Sequence, residues 1–414
     1  MNAGDKHLGN RSLPILEASL ANILVMIPSG EVYDHDCVRW YNHTNIQNSI
    51  NHYHNIGDAF VYDSSLKLLT YDRLDPLVIR EFSQANVDRA NAEYDYVFLR
   101  GSNYIHGQMP WPAGTEQVLS KLKIPVIAFG VGAQAPATGR MQLSDESRRI
   151  WQMIADKSTT IGVRGSYTAE VLWDIGIKNT RIVGCPTAFR NRDPELRIDL
   201  PALDTIRKVG VTMRREVSGA YSPDVQTYLE VHREFVKAMS RRFETTLMMQ
   251  GEVEEKKLLW GTEEQKAEGW HALEANGWLK DWYFDDEMRD LYRSRLWYSD
   301  VVAEWEAMVR SKDLVLGYRL HGNLMALSNA VPSVYFSYDS RTKEFAETFQ
   351  IPCYDVYSGK PFSLEDYWDQ SLFERFNRTY YARYRDMREF LDENYIPHRM
   401  PSPAIRKQPM RQVA

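Results

Sequence analysis

The stretch Asp313–Asp339, DLVLGYRLHGNLMALSNAVPSVYFSYD, constrains the fold of this chain more than any other. Leu314-Val315-Leu316 reads as a short buried strand, Gly322–Asn329 as a helix, and Val331–Tyr338, with Val, Tyr and Phe, as a second strand. That is one βαβ unit, and such units build parallel sheets. Arg319 and His321 fall at the carboxyl end of the first strand, the edge where open α/β sheets bind ligands. Gly322 lets the backbone approach a bound group, and the first helical turn offers N–H groups to a phosphate or carboxylate. An arginine supplies a bidentate anion clamp and a histidine two residues on supplies a proton. From spacing alone, a surface ion pair beside a capping side chain fits equally well.

The same alternation recurs along the chain. Ile23–Pro28, Tyr96–Leu99, Pro125–Phe129, Thr160–Val163 and Arg181–Val183 read as strands, with helices over Thr115–Leu122, Ser144–Ala155 and Ser166–Leu172. The charged stretch Arg190–Lys208, with Pro194 and Pro201, reads as a linker. A second series follows: the strand Val209–Met213, the helix Tyr228–Phe243 and the strand Thr246–Gln250, then the signature unit and a helix over Arg341–Phe349. This divides the chain into an N-terminal α/β domain over 1–200, a second over 208–362 and a helix with tail over 363–414. Residues 251–308 interrupt the second series. They hold six of the eleven tryptophans and read as inserted helices whose aromatic faces build a local core or an oligomer contact, with sugar stacking as the alternative.

Composition narrows the function classes. With 43% hydrophobic and 26% charged residues the chain is of the soluble globular type, and a net charge of −6 argues against nucleic acid as partner. The apolar run Ile23–Pro28 is too short to span a bilayer, which points to the cytoplasm. The tail from Ile405 to Ala414 carries Arg406, Lys407 and Arg411, a pattern suited to peripheral contact with the inner face of a membrane, though such tails more often lack fixed structure. Cys37, Cys185 and Cys353 have neither disulfide nor metal-ligand spacing. Cys185 is expected to be a buried structural thiol. Asp34, His35 and Asp36 are adjacent, so their side chains diverge and a solvated loop is expected in place of a metal site.

Several loops carry candidate site residues. Arg100, Asn103 and His106 follow a strand, and Arg214 and Arg215 follow the first strand of the second domain. Adjacent arginines there cannot point the same way, so one faces inward while the other pairs outside. Gly130, Gly132 and Ala135 approach a dinucleotide fingerprint, but Pro136 and Gly139 interrupt the helix it requires.

Taken together, strand-RLHG-helix, the VPS strand, Tyr338-Asp339 and FAETFQIP resemble the C-terminal signature of the polysaccharide pyruvyl transferase family. Asn55, Gly57 and Asp58 match its N-x-G-D element, Gly184-Cys185-Pro186 its G-C-P turn, and Val163-Arg164-Gly165-Ser166-Tyr167 its V-R-D-x-x-S element, with glycine in place of aspartate. The glycine run usual after the Tyr96–Leu99 strand is here Arg100-Gly101-Ser102-Asn103, which makes Arg100, Asn103 and His106 candidate ligand contacts on the cleft loop; a bridging Arg100 and a surface His106 are the alternative. The resemblance covers roughly residues 50–360. It implies two Rossmann-like domains facing each other across a cleft, like the GT-B glycosyltransferases, and transfer of pyruvate from phosphoenolpyruvate to two sugar hydroxyls, giving a cyclic ketal and phosphate. The roles it implies are His321 as acid, Asp58 as base, and Arg319, Arg214, Leu320, Gly322 and Asn55 around the donor, with Arg214 preferred over Arg215 as the arginine facing the cleft. No metal or other cofactor is required, and the acceptor is a glycan, free or lipid-linked. A GT-B-type glycosyltransferase using a nucleotide sugar is the alternative.

Overall fold

The computed structural model describes residues 20–28, 50–53, 55–79, 83–136, 139–219 and 222–403. The Asp34–Asp36 loop, Cys37 and the basic tail lie outside them.

Among the described residues twelve strands form two parallel six-stranded sheets. The first holds β1 (Ala21–Met26), β2 (Tyr71–Leu77), β3 (Tyr96–Leu99), β4 (Val126–Val131), β5 (Ile161–Val163) and β6 (Thr180–Ile182), in the order β2-β1-β3-β4-β5-β6. The second holds β7 (Lys208–Thr212), β8 (Glu244–Met248), β9 (Leu296–Trp297), β10 (Leu314–Gly317), β11 (Ser333–Ser337) and β12 (Cys353–Asp355), in the order β12-β11-β10-β7-β8-β9. Both orders reverse direction once, between β1 and β3 and between β7 and β10, and each reversal opens a crevice at the carboxyl ends of those strands. Arg100 follows β3, Arg214 follows β7, and Arg319 and His321 follow β10. The two-sheet α/β fold expected from the sequence is the one observed.

The strands are apolar on both faces, as a doubly covered parallel sheet requires. Ile23, Val25, Tyr96, Phe98, Ile127 and Phe129 face one core, while Leu24, Met26, Val97, Leu99, Val126 and Ala128 face another. The first of these cores continues without a break into the second sheet. Helix α1 (Ile56–Leu68) carries part of it: Phe60 meets Trp305 edge to face with centroids 5.3 Å apart. Strand β2, YDRLDPL, was not apparent in the sequence because it alternates charge with apolar residues and contains Pro76; it is tolerated as an edge strand.

The tryptophan-rich segment is largely helical, over Val253–Trp260, Glu263–Ala275, Asp286–Arg295 and Val302–Arg310, and it also donates β9 to the sheet edge. Trp305 is fully buried and Trp270 packs on Phe284 and Tyr292, so much of the aromatic content serves a local core; Trp278 is half exposed.

Three more helices shape the site: α2 (Ser166–Asp174), α3 (Leu320–Ser328) and α4 (Ser340–Phe349). The last helix, α5 (Gln370–Glu393), returns to the first sheet, where Glu393 pairs with Arg181 and Asn394 accepts from the Thr159 and Thr160 backbone. Among the described residues no helix is long and apolar enough to cross a membrane.

Glycine at 165 has a local explanation. An aspartate there would cap α2 from within its own chain segment. Instead the carboxylate of Glu344, from α4, accepts from Thr168 N at 2.6 Å and from Thr168 Oγ1 at 2.9 Å. Thr168 Oγ1 in turn accepts from Ala133 N at 2.9 Å. A Cβ at Gly165 would lie 2.4 Å from Thr348 Oγ1 and 2.5 Å from Glu344 Cγ, so the missing side chain is the space that the distant cap occupies. The backbone at Gly165 is extended, so conformation is not the reason. The second sheet's helix thereby caps the first sheet's helix. Ala135 N donating to Ser340 Oγ at 2.8 Å and Ser340 N donating to Ala135 O at 3.1 Å fasten the same junction.

A double-mutant cycle tests this exchange. Gly165→Asp alone is expected to destabilise by about 1–3 kcal/mol through overpacking, and Glu344→Ala alone by about 1–2 kcal/mol through the lost cap. The double variant, which restores the cap locally, should be more stable in urea melts than the sum of the two by about 1 kcal/mol or more. Additive losses would show that the two positions do not exchange one function.

Candidate active site

His321 sits in the first turn of α3, and the reason it lies deep between the sheets is the closeness of α1. Asn55 caps α1 by accepting from Gly57 N at 3.2 Å, and Ile56 N donates to Gln250 O in the second sheet at 3.1 Å. A Cβ on Gly57 would stand 3.1 Å from His321 Nδ1 and 3.1 Å from Gln250 Oε1, so glycine lets the helix end approach the imidazole. Gly322 does the same on the other side, where a Cβ would meet Gln250 Nε2 at 2.8 Å.

Three guanidinium groups surround this imidazole. Arg100 pairs with Asp58 at 3.2 Å and donates to Tyr104 OH at 2.8 Å. Arg164, only 1% exposed, donates from Nε to Gly130 O at 2.8 Å and from Nη1 to Asn103 Oδ1. Its Nη2 is buried with no hydrogen-bond partner among the described residues. Arg341, in the first turn of α4, donates to Tyr338 OH at 3.1 Å and lies 3.5 Å from Asp339 Oδ2, while its buried Nε meets no partner among the described residues. Burial, reinforced by Arg164, Arg341 and Arg100, holds the His321 pKa well below its usual range. The imidazole is therefore neutral at neutral pH, and its buried Nε2 meets no partner among the described residues. Unmatched buried donors around a neutral imidazole describe a site arranged for an anion.

The candidate residues separate into those at this centre and those beside it. His321, Asp58, Asn55 and Arg100 belong to it, and Gly322 makes room for it. Arg100 is buried and bridges Asp58 and Tyr104. Arg214 Nη1 donates to Tyr338 OH at 2.6 Å, the same hydroxyl that Arg341 uses, whereas Arg215 is buried against Glu255 and Glu254.

Arg319 departs from expectation. Its Nε donates to Met213 O at 2.8 Å and its Nη2 pairs with Glu252, both side chains being buried. A charge already matched by a carboxylate is not poised to clamp an anion. Arg319 is the N-cap residue of α3, and its side chain is committed to Met213 O and Glu252. Leu320 is buried, with its carbonyl taken by Tyr335 OH at 2.8 Å. Asn103 and His106 face an adjoining cavity. Cys185 is fully buried, and burial raises its thiol pKa. Among the described residues no group of acidic, histidine or cysteine side chains has the geometry of a metal site.

Arg164 and Arg341 were not among the sequence-derived candidates. Arg164 was visible in its strand-end position after β5, but Arg341 sits within a helix start that carries no periodic mark of function.

The sequence profile of the polysaccharide pyruvyl transferase family matches residues 55–340, and so runs from the N-cap of α1 to the start of α4. The chain belongs to the polysaccharide pyruvyl transferase family. No curated protein matches its sequence. Among solved structures it is similar to a UDP-GlcNAc 2-epimerase of Methanocaldococcus jannaschii, with 11% identity, coverage of 86% of this chain and 98% of that one, and a TM-score of 0.37. It is also similar to the glycosyltransferase SnogD of Streptomyces nogalater, with 11% identity, 84% and 81% coverage and a TM-score of 0.31. Likeness at that level carries no functional argument.

Two measurements check this geometry. Because burial and the guanidinium groups depress the His321 pKa, the unfolded chain binds more protons than the folded one below about pH 6.5. Stability is therefore lost as pH falls through that range. Relative to the wild type, His321→Gln should lose less, by about 1.4 kcal/mol per pH unit between pH 6 and 5; parallel curves would place the imidazole in an ordinary environment. Arg319→Ala should cost about 3–5 kcal/mol in urea unfolding by stranding Glu252, with a smaller loss in Arg319→Met/Glu252→Met. Wild-type stability in the single variant would show that the buried pair does not form.

Proposed function

We propose that this member of the family transfers pyruvate from phosphoenolpyruvate to two hydroxyls of a glycan, forming a cyclic ketal and releasing phosphate. The observation that supports this reading best is the buried neutral imidazole among Arg100, Arg164 and Arg341, with donors of the last two left unmatched. Phosphoenolpyruvate brings a carboxylate and a phosphate, and guanidinium groups from both sheets would hold the two in fixed orientation. Arg164 and Arg341 take the clamping role first expected of Arg319, and Arg214 adds charge through the shared Tyr338 hydroxyl.

The charges also govern the acid. Without ligand the guanidinium groups keep His321 unprotonated; a bound anion offsets them and restores the proton. The site would thus arm its acid only when the donor is present, which limits wasteful hydrolysis. His321 then protonates C3 of the enol, leaving positive charge at C2. A sugar hydroxyl attacks C2 and passes its proton to a carboxylate, for which Asp58, held by Arg100, is the candidate. The C2–O bond to phosphate breaks, the departing phosphate taking up the proton that Asp58 accepted, and the second hydroxyl closes on C2 as its proton restores the protonated imidazole. Proton and charge balance with no redox partner.

Phosphate release with phosphoenolpyruvate and a glycan acceptor tests the assignment. His321→Ala should retain donor binding and lose about 10²-fold or more in turnover, whereas Arg164→Met and Arg341→Met should chiefly raise the donor concentration needed for half-maximal rate. Phosphoenolpyruvate at about 100 times its dissociation constant should stabilise the wild type by about 2.7 kcal/mol. Stabilisation by a nucleotide sugar in its place would overturn the donor and favour glycosyl transfer.

A further inference from the structure

A polar cavity of about 640 Å³ adjoins the arginine–histidine centre, with Asn103, His106, Gln134, Arg140, Met141 and Tyr167 in its lining. We propose that it binds one hexose unit of the acceptor glycan through the ring hydroxyls, an inference that rests on the pyruvyl-transfer reading and gives its acceptor a place.

The volume lies within the range of about 300–1,000 Å³ typical of small-molecule sites. The lining chemistry matches sugar hydroxyls, each of which both donates and accepts. The amides of Asn103, Gln134 and Gln108 do the same, and burial lowers the His106 pKa, keeping a neutral ring with one donor and one acceptor. Tyr167 and Met141 add apolar surface for the ring face. Among the described residues no carboxylate or lysine lines the cavity, and Arg140 is exposed. A cationic amino sugar gains nothing there, whereas a neutral or acidic hexose does.

Its inner wall belongs also to the anion centre. Asn103 Oδ1 accepts from Arg164, and Asn103 Nδ2 donates to Gln134 Oε1 at 2.7 Å. Gln134 Nε2 then donates to Asp339 Oδ2 at 3.2 Å, beside Arg341. A hydroxyl seated against Asn103 is thus one side chain from a guanidinium of the proposed donor site. Contacts on this wall would couple acceptor identity to the position of Arg164.

The probes are the methyl glycosides of glucose, galactose, mannose and glucuronic acid, followed by saturation-transfer difference NMR without phosphoenolpyruvate. At least one should receive saturation from the wild type. His106→Ala should weaken its binding about five-fold, the equivalent of one lost hydrogen bond. Gly139→Phe, which fills the cavity from a position where a Cβ meets nothing within 4 Å, should abolish it. Both variants should keep the wild-type melting temperature and its rise with phosphoenolpyruvate. Absence of saturation on every probe, or saturation that survives Gly139→Phe, would overturn the cavity's assignment. Absence of phosphoenolpyruvate stabilisation in the wild type would instead overturn the donor reading, with the sugar result standing apart from it.

Discussion

The arrangement depends on positive charge held where the two sheets meet. Burying a guanidinium is costly unless hydrogen bonds or an opposite charge match it. Arg100 has Asp58 and Arg341 has Asp339, but Arg164 is held by a carbonyl and an amide oxygen while one of its nitrogens meets no partner among the described residues. His321 responds by giving up its proton. Positive charge is therefore concentrated at one point, around a neutral imidazole.

Close approach makes that concentration feasible. Gly57 and Gly322 let α1, α3 and Gln250 converge on His321, and Gly165 admits Glu344 from the opposite sheet. Burial raises the Glu344 pKa to about 7, against the pull of the two Thr168 contacts and Arg164. Since α4 carries both Arg341 and Glu344, the junction that caps α2 also sets where Arg341 stands relative to Arg164. The ion triad of Arg190 with Asp63 and Glu306, at 2.8 and 2.6 Å, performs a similar fastening on the far side of α1.

Much of this was legible from residue order. Alternating apolar strands and amphipathic helices specify parallel α/β sheets, and the loops at strand ends marked His321 and Arg214 because backbone geometry fixes which residues reach the carboxyl edge, whereas Asn55 and Asp58 were marked only by the resemblance to the family's N-x-G-D element. Strand β2 escaped notice, since an edge strand has no need of a continuous apolar run. The helix after β10 begins at Leu320 and not Gly322, which places His321 inside its first turn.

Sequence alone determined the sheet type, the family and the kinds of side chain at the strand ends, since these follow from local periodicity and motif order. Tertiary structure decided which charges are matched. Arg319 meets Glu252 and Arg215 meets Glu255, whereas Arg164 and Arg341 keep donors unmatched among the described residues, and each outcome is set by partners remote in the chain. Pairing of charges is a property of distance in space, and no spacing along a sequence encodes it.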